Sequence, residues 1–203
     1  MCIRNTKQRR ARGAALAAFL IALACPNAGA ANLLQNPAFE KVGADSVPEA
    51  WVREYDPVLG GPFQVVQDAR AGANAVCLMT EEWNIDRPQF VTQRVALPPG
   101  SRALQLTARC RGQGTVRLAL GFLRGGRPLA TVTNQPYFGT YVLPVEAENV
   151  AGLGPEYRAY RLRAAVPAEA DGVNVVIGNT KRMSNFNPWG TLLVAGAELA
   201  LLA

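Results

Sequence analysis

Past residue 30 the chain is a succession of short runs rich in Val, Leu, Ile, Phe and Thr, separated by Gly, Pro, Asn and Asp, while helix signals almost vanish. This punctuation constrains the fold more tightly than any single motif, because runs of strand length that recur between turn residues build sheets. They mark candidate strands at 32–41, 50–54, 62–67, 74–80, 89–97, 103–111, 115–123, 128–133, 157–166, 172–178 and 191–202. The expected fold class is all-β, a β-sandwich with two sheets around one core. A chain of 203 residues, 49% apolar and 18% charged, can fill such a core, and the same figures exclude disordered, collagen-like and disulfide-dense classes.

Residues 1–30 read differently. Arg4, Lys7, Arg9, Arg10 and Arg12 precede the apolar stretch Ala14 to Ala24, and small residues Ala28 and Ala30 stand ahead of a cut before Ala31. These are the three parts of a secretory signal peptide, so the expected organisation is a leader over 1–30 and a single domain over 31–203, secreted or periplasmic. A rival lipoprotein reading acylates Cys25 in Ala22-Leu23-Ala24-Cys25, but the usual order, Leu three places before the Cys and a small residue next, is inverted here. No later stretch approaches ~18 unbroken apolar residues, so no membrane span is expected. The chain carries +6, with a pI near 9.5. Taking the leader's five basic residues from 21 leaves 16 against 15 acidic ones, and the electrostatic case for a nucleic-acid partner lapses.

Cys2 and Cys25 leave with the leader, so Cys77 and Cys110 remain for an oxidising compartment. Two readings stand side by side: one disulfide, worth about 2–4 kcal/mol, or two small buried apolar residues.

A hairpin over 103–123 can be read to its register. With the turn centred on Gln113, Cys110 faces Val116, Ala108 faces Leu118, Leu106 faces Leu120 and Leu104 faces Phe122, all apolar. The other face then pairs Arg109 with Arg117, Thr107 with Ala119 and Gln105 with Gly121. Like charges across a strand pair are unfavourable unless an anion sits between them, and Ala119 with Gly121 leaves a shallow floor for a flat ligand. The plain alternative is two guanidinium groups splayed into water or met by a neighbouring Glu. The stretch from Asn134 to Pro155 shows no clear period and is long for a connection.

The segment Asn32-Leu33-Leu34-Gln35-Asn36-Pro37-Ala38-Phe39-Glu40, followed by Pro48-Glu49-Ala50-Trp51, resembles the opening of carbohydrate-binding modules of secreted xylanases and cellulases, in the galactose-binding-like jelly-roll superfamily. Gln93 to Gly100, Leu104 to Arg111, Val166-Pro167 with Gly172 to Val175, and the closing Gly196 to Leu201 match later landmarks in order. The resemblance implies a galactose-binding-domain-like jelly roll over most of 31–203. It also implies a structural calcium near the first and last strands, with Glu40 and Glu198 at the acidic positions, although Ala197 stands where the family has a further acid. Trp51 reads as core.

Sugars are held by rings against a pyranose face and by planar polar groups on its hydroxyls. Trp83, Tyr137, Phe138, Tyr141 and Trp189 sit in loop-like stretches, and Gln105, Arg109 and Arg117 are the polar candidates, the paired Arg suiting a carboxylate-bearing sugar. Each ring could instead anchor its loop in the core. Enzyme chemistry has little to rest on: the chain has no His, hence no serine–histidine triad or His-ligated zinc, and Glu81, Glu82 and Asp86 need be no more than a solvated acidic loop. The expected function is non-catalytic binding of poly- or oligosaccharide, with no cofactor required. The alternative is a structural or adhesive envelope protein that uses the same jelly roll to bind another protein, and an unpaired edge strand also allows a homodimer.

Overall fold

The computed structural model describes residues 31–44, 46–54, 63–80, 90–113, 116–133, 137–138, 141–142, 153–179 and 190–202. Their strands are β1 (Val52–Glu54), β2 (Phe63–Asp68), β3 (Ala73–Thr80), β4 (Phe90–Ala96), β5 (Ala103–Gly112), β6 (Val116–Arg124), β7 (Arg127–Thr133), β8 (Tyr137–Phe138), β9 (Tyr141–Val142), β10 (Arg158–Ala165), β11 (Gly172–Asn179) and β12 (Gly190–Leu202). They form two five-stranded antiparallel sheets, β1-β4-β11-β6-β7 and β10-β5-β12-β3-β2, with β8 and β9 as a separate pair. The chain passes between the sheets from β1 to β2, β3 to β4, β4 to β5, β5 to β6, β7 to β10 and β10 to β11 to β12. The result is the expected β-sandwich, a jelly roll.

Alternation explains the core. Every second residue of β5, β6, β11 and β12 points inward, and Leu104, Leu106, Leu118, Leu120, Val175 and Leu199 are fully buried between the layers. Every candidate strand except 32–41 falls on an observed one. That segment bends instead, because Pro37 has no N–H to donate and Asn36 and Phe39 adopt left-handed backbone, φ 46° and 58°. It still borders β12: Leu33 N–H donates to the Leu199 carbonyl at 2.9 Å, and Ala197 N–H to the Pro37 carbonyl at 2.9 Å. Trp51, 4% exposed, is core as expected, its ring 5.3 Å from that of Phe39.

The 103–123 hairpin does not form. β5 lies between β10 and β12 in one sheet, and β6 between β11 and β7 in the other. Leu104, Leu106, Ala108 and Cys110 face the core from one layer while Val116, Leu118, Leu120 and Phe122 face it from the other. Facing layers satisfy the same apolar alternation as adjacent strands, so the pattern alone does not distinguish them. At the crossing, Gly112 N–H donates to the Gly154 carbonyl and Gln113 N–H to the Thr191 carbonyl, both at 2.8 Å. Gly112 has φ 136°, and a Cβ there would fall 1.8 Å from the Thr191 carbonyl oxygen, so glycine is required.

The disulfide is likewise corrected: Cys77 and Cys110 are both free and buried. Cys110 is opposite Val194 and faces the core, whereas Cys77 is opposite Leu193, the next residue of β12. The two thiols therefore point to opposite sides of the sheet with a strand between them, two spacings or about 10 Å, beyond disulfide reach. Burial raises the pKa of both.

Candidate functional site

The two ends of the sandwich differ. At one, tight turns join the strands: Gly100, Gly125 and Gly126 take positive φ, and Asp171 Oδ2 accepts the Gly125 N–H at 2.7 Å. At the other lie the strand ends that lead into the ring-bearing segments. Thr80, the last residue of β3, pairs with Gly190, the first of β12. Glu54 pairs with Phe90 at the start of β4, Phe90 with Gly178, and Gly178 with Arg117 near the start of β6. Thr133, which ends β7, pairs with Ala119, two places from Arg117. Trp83 and Trp189 lie outside the described residues, as do Glu81, Glu82, Asp86 and the leader 1–30. Tyr137 and Tyr141 belong to the small β8–β9 pair, opposite Val142 and Phe138 respectively.

Arg117 and Arg109 occupy opposite outer faces of the sandwich, not one polar face. On the first sheet, Arg117, Ala119 and Gly121 alternate outward, beside Gly178, Val176 and Asn174 of β11. The floor of small residues exists, yet most of it is covered: Ala119 is 0% exposed, Thr92 2% and Arg117 6%. The Arg117 guanidinium lies 5.1 Å from the Phe90 ring centroid, and burial pushes its pKa down to about 10. It remains a cation at neutral pH, poised at the end where the ring-bearing segments begin.

The second sheet turns a wetter face outward. Gln105, Thr107, Arg109 and Arg111 alternate along β5, with Arg163 opposite Gln105, Arg161 opposite Thr107 and Ala159 opposite Arg109 on β10. Arg109, Arg161 and Arg163 are exposed. Arg163 Nε donates to Gln105 Oε1 at 2.8 Å. The Tyr157 ring carries two guanidinium groups, that of Arg109 at 5.1 Å and that of Arg111 at 5.4 Å from its centroid. Asp68 closes the cluster: its Oδ2 accepts from Arg111 Nε at 2.8 Å, Arg111 Nη2 at 2.6 Å and Tyr157 OH at 2.7 Å, and its Oδ1 accepts the Arg70 N–H at 3.0 Å. Burial would raise the Asp68 pKa, but these donors more than offset it, so the carboxyl titrates below its usual range. Burial and the facing carboxylate push Tyr157 up to about 12.

Four carbonyls near Glu40, where the resemblance implies calcium, already accept hydrogen bonds: Asn36 Nδ2 donates to Lys41 O at 2.7 Å and Glu49 O at 3.1 Å, Asn74 Nδ2 to Phe39 O at 2.9 Å, and Trp51 Nε1 to Asn36 O at 3.2 Å. Glu40 and Glu198 are exposed, and no group of three or more His, Cys, Asp or Glu clusters among the described residues. A hard cation needs several oxygen ligands at once, and these four carbonyls would have to serve it besides the donors they already accept.

Two antiparallel sheets interleaved in this way define a jelly-roll sandwich like that of carbohydrate-binding modules. The chain is similar to the enzymatically active domain of tailspike protein 4 of bacteriophage CBA120, with TM-score 0.57 and 15% identity over 84% of its length, and spans 21% of that chain. It is also similar to TmCBM61, solved in complex with beta-1,4-galactotriose, with TM-score 0.52 and 16% identity, covering 85% of this chain and 99% of that one. At such identities the likeness is one of fold. No protein-family model and no curated protein matches the chain.

Sequence reasoning missed Asp68, Arg111, Tyr157, Arg161 and Arg163. For the last two the signal was present, since Arg161 and Arg163 alternate with Tyr160 and Leu162 in a half-buried strand. The Asp68–Arg111–Tyr157 contact joins residues far apart in the chain and left no local trace.

Proposed function

We propose that the chain is an exported, non-catalytic protein that binds poly- or oligosaccharide at the end of the sandwich from which its ring-bearing segments arise. Trp83, Trp189, Tyr137 and Tyr141 cover the apolar faces of the sugar rings, and Arg117 supplies fixed positive charge beside them. The observation that carries this reading is the shared end. The strands flanking Trp83 and Trp189, and the strand that leads to Tyr137 and Tyr141, all terminate there. Likeness over 85% of this chain to a module solved in complex with beta-1,4-galactotriose supports the class of ligand. The absence of His from the whole sequence supports binding without turnover. Export rests on the three-part leader, and Glu40 and Glu198 carry no metal in this proposal.

Affinity electrophoresis of the chain through gels containing neutral galactans, xylans and glucans tests it. One polymer retards migration, and Trp83→Ala or Trp189→Ala releases the chain while its melting temperature stays unchanged. Free migration in every gel, with capture of a protein partner instead, overturns the proposal in favour of an adhesive role.

A further inference from the structure

The exposed face of the β10–β5 edge is the part of the molecule whose side chains the loop-end site does not use. Arg161 and Arg163 stand two residues apart on one face of β10, about 7 Å along the strand. Arg109 lies diagonally across from Arg161, since it is paired with Ala159, at another 7–8 Å or so. The three guanidinium groups thus form a file along the sheet edge. The only carboxylate among the described residues of the same rows is Glu198, opposite Thr107 on β12.

Two members of the file are held in place. Arg109 is exposed and its guanidinium lies over the Tyr157 ring at 5.1 Å, a contact that uses the ring face and none of its N–H donors. Arg163 is oriented by its 2.8 Å bond to Gln105 Oε1, made through Nε, so its terminal nitrogens remain as donors. Charges that merely protect an edge strand from pairing need no such ordering. An ordered guanidinium fork matches one ligand chemistry above others, the planar carboxylate, which it grips through two parallel hydrogen bonds.

We propose that Arg109, Arg161 and Arg163 form a second binding face, which takes a carboxylate-bearing polysaccharide laid along the β10–β5 edge. The choice of a glycan over other polyanions rests on the carbohydrate reading given above. The face itself is separate from the ring-bearing end.

Polygalacturonate, its fully methyl-esterified form and a DNA duplex of matched charge concentration are the probes, used with the chain over 31–203 in affinity electrophoresis and titration calorimetry. Polygalacturonate binds, with an affinity that falls as salt rises, and the methyl ester, which keeps the backbone but loses the charge, does not. Arg161→Gln with Arg163→Gln weakens binding at least tenfold with an unchanged melting temperature. Arg163→Lys restores less than half of the affinity, because an ammonium lacks the fork. Trp83→Ala leaves polygalacturonate binding intact, so failure of the loop-end site and failure of this face are told apart. Equal binding of the ester, full rescue by lysine, or displacement by DNA at equal charge overturns the proposal, as does a lack of binding to polygalacturonate.

Discussion

Arg117 and Arg109 stand eight positions apart on successive strands, yet one is packed under cover on the first sheet and the other lies in the open on the second. Their faces differ in the same way. The outer face around Arg117 is built from the small residues Ala119, Gly121, Gly178 and Thr92, of which Ala119 and Thr92 are buried. The face around Arg109 carries long polar side chains that stay wet, anchored at one point by the Asp68 carboxylate. A guanidinium on each face therefore does different work. The buried one is a fixed charge whose desolvation the fold must offset, while Arg109 and Arg163 stand exposed to solvent.

Substitutions can break this contrast. The largest effect is expected at Asp68, whose removal leaves Arg111 partly buried without its carboxylate. Asp68→Ala lowers the unfolding free energy by about 3 kcal/mol, read by urea denaturation. A loss below about 1 kcal/mol would mean that the cluster is solvated and the second face is not anchored.

Acid and alkali probe the same cluster. The Asp68 pKa is lower folded than unfolded, so its contribution is present above the ordinary carboxylate range and disappears as pH falls through the folded value. Tyr157 has the opposite sense. Raised from 10.0 to about 12, it contributes fully below pH 10 and loses that contribution as pH rises toward 12. Melting temperature should fall on both sides of a neutral plateau, and Tyr157→Phe should flatten the alkaline arm. An alkaline arm of unchanged slope contradicts the raised pKa that burial and the Asp68 carboxylate give Tyr157.

Smaller effects separate the two arginines. Arg117→Met removes a buried cation from its contacts, the Phe90 ring among them, and is expected to cost about 2 kcal/mol. Arg109→Met removes an exposed guanidinium from an aromatic face and costs about 0.5–1 kcal/mol. A reversal of that order would show that the contacts of Arg117 contribute less than its burial costs. The smallest effect is expected from calcium. With the Asn36, Phe39, Lys41 and Glu49 carbonyls bonded to N–H donors, calcium or a chelator is expected to shift the melting temperature by less than about 1 °C, and a rise of several degrees with calcium would contradict that closure.

Much of the fold was legible in the sequence because its strands are short, β-branched and bounded by Gly and Pro, so position and inward face follow from period 2. Neighbourhood was not legible. Leu104 to Cys110 and Val116 to Phe122 carry the same alternation whether they pair in one sheet or face each other across the core, and only the Gly112 crossing decides. The same ambiguity hid the opposite directions of Cys77 and Cys110, which depend on β12 entering between their strands from more than eighty residues away. The first segment failed for a local reason: Asn36 and Phe39 turn left-handed inside a run that is apolar enough to read as a strand. Of the proposed site, ring identities were visible in Trp83 and Trp189, but that the strands flanking their segments end together emerges only from the pairing of Thr80 with Gly190 and of Phe90 with Gly178.

A crystal structure of the chain with the neutral oligosaccharide selected by affinity electrophoresis tests this account most directly. Sugar stacked on Trp83 or Trp189, at the end where β3 stops and β12 starts, is the expected result. Sugar bound among the tight turns around Gly100 and Gly125, with both tryptophans remote from it, would contradict it.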